Sequence, residues 1–132
     1  MEAKKTLISI IIPVFNEEQN IPLVHAGIMD AWKNLRDKYD CEIIFVNDGS
    51  ADKSSDVLEK LAGNDVKIKC IEFSRNFGKE IAISAGIFHC QGEAAVIIDA
   101  DMQHPPALRQ KKLSIPCTNI PATKFRQALL QL

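Results

Sequence analysis

No charge of one sign dominates this sequence. Sixteen basic residues face seventeen acidic ones, a formal net charge of −1. Non-specific nucleic-acid binding needs a basic surface that displaces counterions, so nucleic acid is not expected as a partner. Long apolar runs are missing too: none approaches the roughly 20 residues that span a bilayer. Leu7–Phe15 follows Lys4-Lys5 like the start of a signal peptide, yet it passes into Asn16-Glu17-Glu18 without a small-residue cleavage site. The expectation is a soluble, cytoplasmic chain. The cysteines, at 41, 70, 90 and 117, include no Cys-x-x-Cys pair. Cys41 and Cys70 lie in apolar strand-like runs and Cys90 where a helix should end, so reduced, mostly buried thiols are expected rather than a disulfide or zinc framework.

Two nucleotide motifs are absent as well. No Gly-x-Gly-x-x-Gly follows the first strand-like run, where Pro13-Val14-Phe15-Asn16-Glu17 stands instead, which argues against a dinucleotide dehydrogenase. Gly78-Lys79 is followed by Glu80, so there is no Walker loop. A phosphatase of the aspartyl-phosphate type would carry its acidic pair after the first strand, not the fourth.

What remains is ordinary globular material. At 132 residues, 46% hydrophobic and 25% charged, the chain has room for one domain with a single core. Leu7–Val14 is a continuous isoleucine-rich run, as expected for a strand covered on both faces. Ile21, Val24, Ile28, Leu35 and Tyr39 then recur at helical spacing, with Trp32 on the same apolar stripe and Asn20 as a plausible cap. Cys41–Val46 reads as a second strand, broken by the turn residues Asn47-Asp48-Gly49-Ser50. Val57, Leu58 and Leu61 mark a short helix ending near Gly63-Asn64. Residues 66–73 form a third strand, 78–89 a third helix and 94–98 a fourth strand that stops at Asp99-Ala100-Asp101. Such alternation predicts an α/β fold: a Rossmann-like parallel sheet in the order 3-2-1-4, with helices on both faces.

In such sheets ligands sit beyond the carboxyl ends of the strands, where the strand order reverses. That crevice lies between strands one and four, and Phe15-Asn16-Glu17-Glu18 and Asp99-Ala100-Asp101 emerge there, flanked by the turn after strand two. Asp99 and Asp101 can offer oxygen ligands to one hard cation, magnesium or manganese. A pyrophosphate could not approach two bare carboxylates without a cation between them, so the pattern predicts metal and diphosphate together. The same pair could instead cap the next element. Asp48 has two readings also, a plain turn residue or a carboxylate accepting hydrogen bonds from a base or ribose, and Glu17 could cap the first helix. Lys79, at a helix start beside Gly78, reads as a solvated surface lysine that could touch a phosphate. His104, before Pro105-Pro106, reads as a loop residue.

Four segments taken together, Ser9–Glu18 (SIIIPVFNEE), Ile43–Ser50 (IIFVNDGS), Ser74–Lys79 (SRNFGK) and Ile98–Pro106 (IDADMQHPP), resemble family 2 glycosyltransferases of the GT-A fold. The likeness is nearest to bacterial polyprenyl-phosphate sugar transferases and dolichyl-phosphate mannose synthase relatives. The resemblance covers roughly residues 6–106, with the motifs in order at strand ends. It implies an inverting transferase that binds a nucleotide-diphosphate sugar, a UDP- or GDP-sugar, with Mg2+ or Mn2+ and delivers the sugar to a polyprenyl phosphate. It places Pro13, Phe15 and Glu17 in the first nucleotide-binding loop, and Val46 and Asp48 in the turn that contacts base and ribose. Asp99, Ala100 and Asp101 match the acidic motif that holds metal and diphosphate, with Gln103 as a possible further metal ligand beside Asp99 and Asp101. Asn47 stands where many relatives carry aspartate. No catalytic base is assigned, because an ionised phosphate nucleophile needs little help from one.

The likeness fails at Ala107. Residues 1–106 are expected to be the N-terminal, nucleotide-sugar-binding part and 107–132 a divergent or truncated tail without a strand-like apolar run. Phe125, Ala128, Leu129 and Leu132 give that tail one helical stripe. Relatives continue into further strands, an acceptor site and, in the lipid-linked group, membrane helices that place them at the cytoplasmic face. Two readings follow, a glycosyltransferase domain or a non-catalytic nucleotide-binding fragment, with an uncovered sheet edge open to self-association.

Overall fold

A computed structural model of the chain describes residues 5–100 and 114–115. Its elements run β1 (Thr6–Val14), α1 (Ile21–Trp32), β2 (Tyr39–Asn47), α2 (Ser54–Asn64), β3 (Ile68–Glu72), α3 (Lys79–His89), β4 (Ala94–Ile97) and the two-residue β5 (Ser114–Ile115). The sheet order is β3-β2-β1-β4-β5. The first four pair in parallel, as the alternation of strand and helix requires.

Successive strand residues face opposite sides of the sheet, and both sides are dry. Ile8, Ile10, Ile12, Val14, Ile43, Phe45, Val96 and Ile98 form one core with α1 and α2. Ile11, Ile44, Val46, Ala95 and Ile97 form a second with Ala82 of α3. This explains why β1 and β2 read as unbroken apolar runs rather than alternating ones. Trp32 is buried in the first core.

Polar residues interrupt the runs at one place, and they are matched. Ser9 and Glu42 are register partners on β1 and β2. Ser9 Oγ donates to Glu42 Oε2 at 2.5 Å, Lys69 Nζ donates to Oε1 at 2.7 Å, and the amides of Gln91 and Gly92 donate to Oε2 at 2.6 and 3.2 Å. Burial works against ionisation of this carboxylate. The hydrogen bonds from Lys69, Ser9 and Gln91 outweigh it and hold the Glu42 pKa below the usual value. The network ties the turn between α3 and β4 to the lower end of the sheet.

Four expectations need correction. The apolar stripe from Ile21 to Tyr39 is not one helix: α1 stops at Trp32. Leu35 N and Arg36 N both bond Trp32 O, and Tyr39 N bonds Leu35 O, so the chain turns on with near-helical spacing and the period outlasts the helix. Asn20 does not cap α1. Its backbone is already helical and its side chain donates to Glu17 Oε2 at 2.6 Å. The tail does contain a strand, for β5 pairs antiparallel with β4 through Ala95–Ile115 and Val96–Ser114. Two residues are too short to leave an apolar pattern, and the pairing follows from the open edge of β4. Lastly, Cys90 is disulfide-bonded, with its partner outside the described residues, while Cys41 and Cys70 are free thiols. Sequence spacing alone does not reveal such a pairing.

Candidate functional site

The upper end of the sheet opens into a cleft of about 400 Å³ lined by Pro13, Val14, Phe15, Glu17, Asp48, Asn76, Gly78, Lys79, Asp99 and Ala100. Its position follows from register. Ile11 pairs with Ile97, and Ile98 N donates to Ile11 O at 3.0 Å, so Asp99 emerges beside Pro13. On the other flank Asp48 N donates to Val14 O at 2.8 Å. Alternate residues of β1 thus face alternate neighbours, and Pro13 faces β4 just past the last paired residue. A proline here removes no ladder bond, which explains its place in a central strand.

The loop after β1 is held by the loop after β2. Asn16 adopts a left-handed backbone (φ 54°), and its Oδ1 accepts the amides of Ala51 and Asp52 at 2.7 and 3.3 Å. The amides of residues 16, 17 and 18 donate to Ser50 Oγ, Ser54 Oγ and Asp52 Oδ2 at 2.9, 3.0 and 3.2 Å. Burial of Asp52 works against its charge, but donors from Ser54 and Glu18 prevail and lower its pKa. Asn47, buried at the end of β2, donates to Glu72 Oε2 at 3.0 Å and accepts from Ser50.

Asp48 is the hub of the cleft. Its side chain accepts Phe77 N at 2.7 Å, Gly78 N at 3.0 Å and Asn76 Nδ2 at 3.0 Å, and Asn76 Nδ2 also reaches the Asp48 carbonyl at 3.1 Å. The segment 75–78 is steadied further by Arg75, whose guanidinium lies 4.3 Å from the Phe77 ring centre, and by Phe73 edge-on to Phe77 at 5.5 Å. Gly49 lets the two loops touch: at φ +68°, a Cβ there would stand 2.2 Å from the Arg75 carbonyl carbon.

Pro13, Phe15, Glu17, Asp48, Asp99 and Ala100 therefore meet at one cleft, as the sequence suggested. Val46 does not line it; its side chain is fully buried in the α3-side core. Asp101, Gln103 and His104 lie outside the described residues, and among the described residues no cluster of three or more acidic, histidine or cysteine groups could hold a metal. Sequence reasoning passed over Asn76 and Gly78. Lys79 is a surface lysine, as expected, with 60% of its side chain exposed, and it pairs with Asp99, Nζ to Oδ1 at 2.5 Å. The signal lies in the motif Ser74–Lys79, where the sequence singles out Lys79 alone. Among the described residues no helix is long and apolar enough to cross a membrane.

Comparison with known proteins bears on the family and the fold. The Bacillus subtilis protein CsbB, provisionally named a glycosyltransferase, is 50% identical over 105 residues, which is 80% of this chain and 31% of that protein. A prophage bactoprenol glucosyl transferase homologue of Escherichia coli is 42% identical over 98 residues, 74% of this chain and 31% of the relative. The chain thus spans about a third of the length of these relatives. Among solved structures, a Pyrobaculum calidifontis mannosyltransferase in complex with GDP-Man and Mn2+ aligns with a TM-score of 0.64 at 25% identity, over 76% of this chain and 29% of that one. The sequence profile of Glycosyl transferase family 2 matches residues 9–113, and the chain belongs to that family.

Proposed function

We propose that this chain is the donor-binding part of a glycosyltransferase that uses a nucleotide-diphosphate sugar, a divalent cation and a polyprenyl phosphate acceptor. The observation that carries the proposal is the cleft between β1 and β4, where Phe15, Glu17, Asp48 and Asp99 converge in a family 2 chain. The half-exposed Phe15 ring offers a stacking face to a nucleobase. Asp48, fixed by three donors, presents a rigid acceptor to base or ribose. Asp99 fits a hard cation, being a carboxylate on the cleft wall that already attracts a cationic group, the Lys79 ammonium. Asp101 and Gln103 are assigned as its fellow ligands by the motif alone. When bound, the cation would offset negative charge building on the leaving diphosphate. Residues 1–106 would supply these donor contacts. The acceptor is inferred from the name of the bactoprenol glucosyl transferase relative, of whose length this chain spans 31%.

Calorimetry with uridine and guanosine diphosphates, in manganese or in chelator, tests the reading. Binding is expected to tighten in manganese, and Asp99→Asn or Asp101→Ala should remove the gain. Equal affinity in chelator would refute it. Transfer of sugar to a polyprenyl phosphate by the 132-residue chain separates a working enzyme from a non-catalytic nucleotide-binding fragment.

A further inference from the structure

We propose that Lys79 is a stand-in cation that couples the two ligands of the donor site. In the structure its ammonium pairs with Asp99. When a divalent cation and a nucleoside diphosphate arrive together, Lys79 yields Asp99 to the cation and turns to the diphosphate. The inference rests on the donor-binding reading above and adds the residue that links metal to nucleotide.

Placement and charge carry the argument. Lys79 is the first residue of α3 and Asp99 lies just past β4, so two separate elements deliver the pair to one cleft. Both side chains reach solvent, 60% and 35% exposed, and an ion pair of that kind is weak and readily exchanged. Among the described residues lining the cleft, Glu17, Asp48 and Asp99 are acidic and Lys79 is the single basic one. Asp48 is a poorer partner for the ammonium, since three of its roughly four lone-pair sites are already taken by Asn76, Phe77 and Gly78.

A divalent cation on Asp99 would sit within a few ångströms of the ammonium and repel it. Of the anions then left in the cleft, Glu17 already accepts Asn20 Nδ2, and the diphosphate carries the greater charge. Metal alone must therefore displace Lys79 without compensation, and diphosphate alone meets carboxylates while Lys79 is engaged. Each ligand removes the obstacle to the other, and the coupling is reciprocal by linkage.

The test uses the 132-residue chain and follows Mn2+ binding by electron paramagnetic resonance, alone and with uridine or guanosine diphosphate. The wild type is expected to bind Mn2+ about tenfold or more tightly in the presence of the preferred diphosphate, within the usual range of site-to-site coupling. In Lys79→Met, Mn2+ alone should bind severalfold more tightly and the enhancement by diphosphate should shrink. Lys79→Arg should restore wild-type behaviour, and because position 79 is exposed both variants should melt like the wild type. Unchanged or weaker binding of Mn2+ alone by a folded Lys79→Met overturns the inference. If the wild type binds no diphosphate with Mn2+, the donor reading fails, and the comparison with Mn2+ alone still decides whether Lys79 competes for Asp99.

Discussion

Alanine at position 49 would drive apart the two loops that build the cleft. Gly49 has φ +68°, a left-handed backbone that costs a residue with a Cβ about 1–2 kcal/mol. The added carbon would stand 2.2 Å from Arg75 C, 2.4 Å from Asn76 N and 2.7 Å from Arg75 O, against 3.4 Å for ordinary contact. All three are backbone atoms, so no rotamer change relieves the clash and one loop must move by roughly an ångström. Such a shift lengthens the bonds from Phe77 N and Gly78 N to the Asp48 carboxylate, now 2.7 and 3.0 Å. Each hydrogen bond to a charged group contributes about 1.5–3 kcal/mol. Strain plus one lost bond gives about 3–5 kcal/mol, a fall in Tm of roughly 10 °C or more. Gly63→Ala is the internal control. That glycine lies in α2 with nothing within 4 Å of its added Cβ, so alanine should stabilise by up to about 1 kcal/mol. Calorimetric melting of both variants reads the difference. If Gly49→Ala melts within about 2 °C of the wild type, the loop contact is not the constraint described here.

Glu42→Gln should lower stability at pH 7 by about 1.5–3 kcal/mol through loss of charge-assisted bonds from Lys69, Ser9 and Gln91. The Glu42 pKa is depressed in the fold, so its stabilisation is complete above the unfolded value of about 4.3 and is lost as pH falls through the folded one. Urea midpoints of wild type and variant should converge toward pH 3; parallel curves would contradict the sign. Burial raises both free thiols, Cys41 and Cys70, to about 11. At neutral pH, roughly a thousandth or less of each is thiolate, and peptide-mapped alkylation should reach them only after unfolding. Rapid labelling of native Cys41, which is 4% exposed, would show that the first core opens easily.

The fold was legible because its signals are periodic and redundant. Isoleucine runs buried on both faces and alternating with amphipathic stretches leave few topologies, and the 3-2-1-4 order follows from placing the first strand at the centre. Local chemistry without period was not legible. Asn20 looked like a cap, but the chain was already helical there because Glu17 O accepts the amides of both Asn20 and Ile21. Ser9 and Glu42 stand inside apolar strand sequences, and only register shows them to be partners across β1 and β2. The Cys90 disulfide, too, has no Cys-x-x-Cys or other spacing signal in the sequence. The site divides along the same line. Strand ends located Glu17, Asp48 and Asp99, whereas the Lys79 partnership required knowing that the start of α3 faces the end of β4.

Asp48 shows why a turn residue and a ligand-contacting residue need not be competing descriptions. A carboxylate has about four lone-pair sites. Oδ2 takes donors from Asn76 and Gly78, and Oδ1 takes the one from Phe77. One site on Oδ1 is left over by that count, on a side chain 3% exposed that lines the cleft. A free carboxylate offered to a nucleotide would have to give up water and lose rotamer freedom on binding. This one has already done both during folding, because the motif Ser74–Lys79 closes over it and Gly49 admits that motif at contact distance. A nucleotide donor group meeting Oδ1 would find an acceptor fixed in direction, and selectivity between donors then follows from geometry rather than from charge alone. The turn chemistry that made Asp48 look ordinary is what would make it a precise contact.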